Sequence, residues 1–247
     1  MKKTRFSTKI LLTLLLLLAL EPAGAQFPQQ EVLKRGVVAV KTDNGVFVSW
    51  RYLGSDSPSA GFNIYRDGEK LNSEPITTST NYVDAGGTLS STYVVKRVDN
   101  GRETDASEET TVWDTFYKKI KLQRPASSVT PPYTVTNNGN EENYPNGQFY
   151  SYTPNDCSAG DVDGDGEYEI IVKWDPTNSR DNSFYGYTGE VYLDCYKMDG
   201  TQLWRINLGR NIRAGAHYTQ FMVYDLDGDG KAEVACKTAP GTIDGQG

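Results

Sequence analysis

The sequence predicts an all-β protein: a small N-terminal β-sandwich followed by the first blades of a β-propeller. Three observations carry this expectation. Aromatics are 11% of the 247 residues, with 16 Tyr against 8 Phe and 4 Trp, a balance that suits sheet surfaces and argues against helix bundles. Short apolar runs separated by Asp-Gly and Asn-Gly turns fill the first half. In the second half an acid- and glycine-rich loop recurs without gaps, from Asp161 and again from Asp225. At this length, with 37% hydrophobic residues, one large or two modest cores can form, which sets disorder aside.

Residues 1–25 read as a secretory signal peptide. Lys2, Lys3, Arg5 and Lys9 precede an almost unbroken apolar run from Ile10 to Leu20, and Ala23-Gly24-Ala25 has the small-x-small form of a cleavage site. That run is short of the ~20 residues that span a bilayer, and no later segment is long and apolar enough, so no transmembrane segment is expected. The protein is expected to be secreted, to the periplasm or beyond. Residues 26–247 keep 21 basic and 31 acidic residues, a net charge of −10. Such a chain repels nucleic acid and anionic membranes, and approaches an anionic ligand only through a local basic patch or a bound cation. Cys157, Cys195 and Cys236 have no short paired spacing and make neither a zinc pattern nor a disulfide framework. At most one bridge is possible, and the alternative is three small buried hydrophobes in strands.

The sandwich is expected over residues 26–114. Val37–Val40, Val46–Trp50, Phe62–Tyr65 and Thr92–Val95 alternate, bounded by Asp43-Asn44-Gly45, Asp67-Gly68, Ala85-Gly86-Gly87 and Asp99-Asn100-Gly101. The pattern resembles a fibronectin type III module, which makes Trp50 and Tyr93 core residues. Residues 115–149, rich in Pro, Asn, Ser and Thr, read as a connector. Residues 150–247 hold the repeat: "DVDGDGEYEIIVKWDP" at 161–176 aligns with "DLDGDGKAEVACKTAP" at 225–240, and "VYLDCYKMDGTQLWRINLG" between them reads as strand, Asp-Gly turn, strand. A propeller is the economical architecture, here incomplete.

Asp161, Asp163, Asp165 and Glu169 stand at positions 1, 3, 5 and 9 of the first loop, and Asp225, Asp227, Asp229 and Glu233 repeat the spacing. Alternate carboxylates on a tight glycine-rich turn aim their oxygens inward, which suits a hard cation such as Ca²⁺. An EF-hand is disfavoured, because its acidic twelfth position falls on Val172 and Cys236 and the flanks are strands. Without a cation the packed carboxylates repel one another.

The segments "YTPNDCSAGDVDGDGEYEIIVKWDPTNSRDNS" and "GEVYLDCYKMDGTQLWRINLGRNIRAGAHYTQFMVYDLDGDGKAEVACKTAPGTIDG" are similar to the family 11 polysaccharide lyases, secreted rhamnogalacturonan lyases. The resemblance covers essentially all of the chain after the leader. It implies a calcium-stabilised, eight-bladed propeller behind a small sandwich, acting on the pectic polysaccharide rhamnogalacturonan I. The reaction it implies is β-elimination between rhamnose and galacturonic acid, the intact enzyme being a monomer. Two or three blades do not close a ring, so the chain reads as an N-terminal fragment, inactive alone.

The weakly acidic proton on carbon 5 of galacturonate needs a positive charge near the adjacent carboxylate and a base to take it. The strand ends flanking the first loop are expected at the cleft mouth, and there Asn155 and Asp175 match family positions that contact sugar. His217, the only His, is the candidate catalytic group, although a lone His is often a packed strand residue. Arg180, Arg210 and Arg213 are candidates for binding uronate carboxylates bidentately, with Arg180 and Arg213 preferred. Lys173 and Lys237 recur at one repeat position and are read as packing residues. The competing function is a noncatalytic carbohydrate- or protein-binding propeller.

Overall fold

The computed structural model describes residues 31–215 and 218–247. The signal peptide read at 1–25 and the candidate His217 lie outside the described residues. All regular structure in the described residues is β. No described helix is long and apolar enough to cross a membrane.

The first eight strands are β1 (Val38–Thr42), β2 (Gly45–Ser49), β3 (Gly61–Arg66), β4 (Glu69–Lys70), β5 (Asn81–Asp84), β6 (Thr92–Asp99), β7 (Arg102–Ala106) and β8 (Thr110–Trp113). They form one curled sheet in the order β4-β3-β6-β8-β1-β2-β5, with β7 on β6. β8 joins the two halves: Thr110 and Thr111 pair antiparallel with β6, whereas Val112 and Trp113 pair parallel with β1. The sheet therefore wraps around one core.

Alternation builds that core. Val46 and Val48 of β2 are fully buried, as are Tyr93 and Val95 of β6 to within 1%, and they meet Trp50, Phe62 and Ile64. Burying each large apolar side chain stabilises the fold by about 1.5–3 kcal/mol. Trp50 packs its ring 5.4 Å from that of Phe62. The Tyr93 hydroxyl donates to Asp84 at 2.7 Å, and Arg66 holds the same carboxylate. Both residues expected in this core are there. The turns follow the dipeptides: Asp67-Gly68 (φ 51° and 85°) and Asn100-Gly101 (φ 50° and 76°) both take the left-handed pair of a type I′ turn.

The segment read as a connector carries its own strands: β9 (Ser128–Val129), β10 (Tyr133–Asn137), β11 (Asn140–Tyr144) and β12 (Phe149–Tyr150). Asn138-Gly139 (φ 48° and 79°) closes β10 and β11 into a hairpin. Its polar composition hides the strands because both faces carry hydroxyls and amides, so no apolar alternation marks them.

The last part has β13 (Tyr152–Gly160), β14 (Glu169–Pro176), β15 (Tyr192–Tyr196) and β16 (Gln202–Asn207) in one antiparallel sheet, then β17 (Phe221–Tyr224) paired with β18 (Glu233–Cys236). β14 is flanked on both sides and buried along nearly its whole length. Glu169, Ile171, Lys173 and Asp175 share one of its faces, and Val172 and Trp174 the other. The buried Asp194 of β15 gathers Trp174 Nε1 (2.8 Å), the Tyr196 hydroxyl (2.6 Å) and Arg205 (2.6 Å). The three cysteines are free: Cys195 is buried in β15, Cys236 half-buried in β18 and Cys157 exposed in β13.

Candidate functional site

Each acid loop links two strands of a hairpin, residues 161–168 between β13 and β14, and residues 225–232 between β17 and β18. Backbone amides shape both identically. The Asp161 carboxylate accepts from Gly164 N (2.7 Å) and Gly166 N (2.8 Å), and Asp225 accepts from Gly228 N (2.7 Å) and Gly230 N (3.0 Å). Glu169 accepts from Val162 N at 3.0 Å, and Glu233 from Leu226 N at 2.7 Å. The glycines at these turns have positive φ, from 78° at Gly228 to 95° at Gly230, a backbone that residues with a Cβ rarely adopt.

Carboxylate oxygens converge in both loops. Asp225, Asp227, Asp229 and Glu233 bring ligand atoms within 4.8 Å of one another, as do Asp161, Asp163 and Glu169. An all-oxygen, acidic donor set of this kind fits a hard divalent cation. Asp165 departs from the expected set: Lys197, at the end of β15, places Nζ 2.7 Å from Asp165 and 2.6 Å from Asp163. That contact holds the Asp165 carboxyl below its ordinary range. Burial pushes the Glu169 carboxyl up, with Asp163 and Asp165 adding to it. Among the described residues no Lys or Arg pairs with the four acids of the second loop. The N-terminal segment caps the first loop, with Glu31 accepting from Asp161 N (2.9 Å) and Lys34 N donating to Gly166 O (2.8 Å).

Asn155 and Asp175 both lie on the β13–β14 hairpin toward its end remote from the loop. Thr153 pairs with Asp175, and the register slips between Pro154 and Cys157, so Asn155 and Asp156 form a bulge. A bulge re-aims side chains, and Asn155 is exposed there. Asp156 receives Lys173 Nζ at 2.5 Å. Asp175 is only 7% exposed, and its Oδ1 is buried without a hydrogen-bond partner. Burial raises its pKa, Lys173 opposing and Asp156 adding. From Glu169 to Asp175 is six strand residues, ~20 Å at the rise of an antiparallel strand. A cation in the first loop is thus too far to touch a group seated on Asp175.

The arginines turn inward. Arg180 reaches Glu142 of β11 (2.7 Å) and Tyr185 O (3.0 Å), and it draws the Glu142 carboxyl down to about 2. Arg213 donates to Gly186 O (3.0 Å), Asp181 O (3.3 Å) and Phe184 O. Together they fasten the loop 181–187 to the β10–β11 hairpin. Arg210 is exposed. Lys173 is buried, in keeping with a packing role, whereas Lys237 is exposed just past β18, so the repeat position does not fix burial. Asp156 and Lys197 were not legible as site residues: each acts on a group distant in the chain.

Repeated acidic loops on antiparallel hairpins define an all-β protein with two acidic groups that could hold a metal ion. The chain belongs to rhamnogalacturonan lyase family 11. Residues 117–247 match the model "Rhamnogalacturonan lyase family 11, C-terminal domain", and residues 28–113 match "Rhamnogalacturonan I lyases beta-sheet domain". It is 60% identical to rhamnogalacturonan endolyase YesW and 56% identical to rhamnogalacturonan exolyase YesX, both of Bacillus subtilis, over 89% of this chain. The chain spans about a third of the length of these relatives, 33% and 34%. Among solved structures it superposes on exotype lyase YesX with a TM-score of 0.81 over 89% of this chain and 34% of that one. The Bacillus licheniformis rhamnogalacturonan lyase PL11 gives 0.81 at 60% identity, over 90% and 36%.

Proposed function

We propose that the protein is a secreted rhamnogalacturonan lyase that cleaves the pectic backbone by β-elimination, this chain supplying one wall of the substrate cleft. The sequence identity to endolyase and exolyase relatives supports the reaction. The observation that carries the role of this chain is the Asp175 carboxylate, buried yet unpartnered at Oδ1, beside the exposed Asn155 on its bulge. A buried acceptor without a donor is costly to leave so, and a sugar hydroxyl that reached Oδ1 would satisfy it. Asn155 offers an amide to the same ligand. Arg180, through Glu142 and Tyr185 O, and Arg213, through Gly186 O and Asp181 O, hold the neighbouring loop in place, and His217 remains the candidate catalytic group.

The curled N-terminal sheet, strands β1 to β8, is read as the fibronectin-like sandwich expected over residues 26–114, and the sheets within 150–247 as propeller blades joined through 115–149. Asp161, Asp163 and Glu169, with Asp165 once Lys197 swings aside, would hold one Ca²⁺, and Asp225, Asp227, Asp229 and Glu233 another. Ca²⁺ bound there supplies positive charge that neutralises crowded carboxylates and ties two strands together.

Elimination removes the carbon 5 proton of galacturonate and breaks the carbon 4–oxygen bond, leaving a double bond that absorbs in the ultraviolet. The protein, at the full length its gene encodes, should release such unsaturated products from rhamnogalacturonan. Saturated products would overturn the lyase reading, and tight binding without cleavage would favour a noncatalytic carbohydrate-binding propeller.

A further inference from the structure

We propose that residues 113–121 form a second polysaccharide-docking strip, away from Asn155 and Asp175, that takes a uronate-bearing chain. The choice of ligand class rests on the function proposed above. A shallow cavity of about 580 Å³ opens here, lined by Leu89, Trp113, Asp114, Tyr117, Lys118 and Lys119 among others. Phe116 is 77% exposed and Tyr117 58%.

The cations of this strip differ from most others in the fold. Lys34, Lys96, Lys173 and Lys197 each pair with a carboxylate. Lys118, Lys119, Lys121 and Arg124 are all exposed, and among the described residues none has a carboxylate within ion-pair reach. Two lean on rings: Lys118 Nζ lies 5.9 Å from the Trp113 centroid and Lys119 Nζ 5.6 Å from that of Tyr117. Three lysines in the four residues 118–121, with Arg124 just beyond and Asp114 the one acid of the strip, stand out in a chain of net charge −7.

The strip is held in shape. Gln123 N donates to the Tyr196 hydroxyl (3.1 Å), and Gln123 O accepts from Arg205 (2.5 Å). Leu122 packs on the Tyr150, Tyr152 and Trp174 cluster. Ile120 and Leu122 are half-buried while Lys119 and Lys121 are exposed, so extended alternation sends both ammoniums outward.

Exposed aromatic faces suit the C–H faces of sugars, and unpaired ammoniums suit carboxylates. A uronate polymer offers both groups on one chain. Nucleic acid shares the negative charge, and the acidic remainder of the protein repels both polyanions alike; the family match is what favours the uronate polymer. A second contact on the same polymer raises retention by effective concentration.

Affinity electrophoresis of the whole chain in gels holding polygalacturonate, neutral galactan or dextran sulfate tests this, with melting temperatures recorded for every variant. Lys118→Gln/Lys119→Gln/Lys121→Gln and, separately, Phe116→Ala/Tyr117→Ala should each weaken polygalacturonate binding about tenfold with the melting temperature unchanged. Galactan should not retard the protein. Unaltered polygalacturonate binding in both variants would overturn the proposal. So would dextran sulfate bound as tightly as polygalacturonate and indifferent to the aromatic substitutions, since that is unspecific cation attraction. Asp175→Ala separates the two readings: if it leaves rhamnogalacturonan binding intact while the strip variants weaken polygalacturonate binding, the cleft assignment fails and the strip stands.

Discussion

Lys197 places its ammonium 2.6 Å from a carboxylate oxygen of Asp163, inside the first acid loop. The second loop, matched to the first amide by amide, has no such cation among the described residues. Two loops of one sequence pattern therefore present different charge to an entering cation.

Calcium titration should accordingly resolve two unequal sites, the weaker at the first loop. Lys197→Met should tighten that site by roughly tenfold, because a competing positive charge is removed. Asp227→Ala should abolish the other. Calorimetry showing two equal sites indifferent to Lys197 would sink the asymmetry.

Asp175 predicts a pH signature. Its folded pKa is raised, so the folded state holds this proton more tightly than the unfolded chain does. Stability is then lost as pH rises through the carboxylate range, when the unfolded form ionises first. Asp175→Asn should melt at a higher temperature than the parent at pH 7, and the gap should close on acidification. A lower melting temperature at pH 7 would show that Oδ1 has a partner.

Asp56 predicts the opposite sign. Its side chain is fully buried between Arg35 (2.5 Å) and Arg97 (3.2 Å). Burial alone would raise its pKa, but the Arg35 hydrogen bond and its companions outweigh that and lower it. The stabilisation is present above the unfolded value, about 3.9, and is lost as pH falls through the depressed folded one. Asp56→Ala strands the buried Arg35 guanidinium, while Arg97 keeps Asp99 (2.7 Å) and Asp105 (3.2 Å), and should cost about 3–5 kcal/mol in denaturant unfolding.

Arg180→Ala should loosen the β10–β11 hairpin without unfolding the sheets. Its link to Glu142 is the one ion pair between hairpin and loop among the described residues. Hydrogen exchange at Val135 and Glu142 should quicken on the order of tenfold, about 1.4 kcal/mol, while amides of β14 keep their protection.

The sequence by itself determined the all-β class, the turn positions and the two acid loops. Asp67-Gly68 and Asn100-Gly101 specify their turns because left-handed backbone is a local property of those residues. Asp161, Asp163 and Glu169 converge, as do all four acids of 225–233, because a tight glycine turn aims alternate carboxylates inward, whereas Asp165 is turned to Lys197, which no local pattern marks. Tertiary structure decided the rest. Asp156 meets Lys173 across 17 residues, Lys197 meets Asp165 across 32, and Arg180 meets Glu142 across 38. Only strand register brings such partners together. Register likewise buries Lys173 while Lys237, its repeat mate, stays exposed, because β14 has neighbours on both sides and β18 pairs only with β17. Local chemistry repeats with sequence, whereas burial and charge pairing depend on which strands lie alongside.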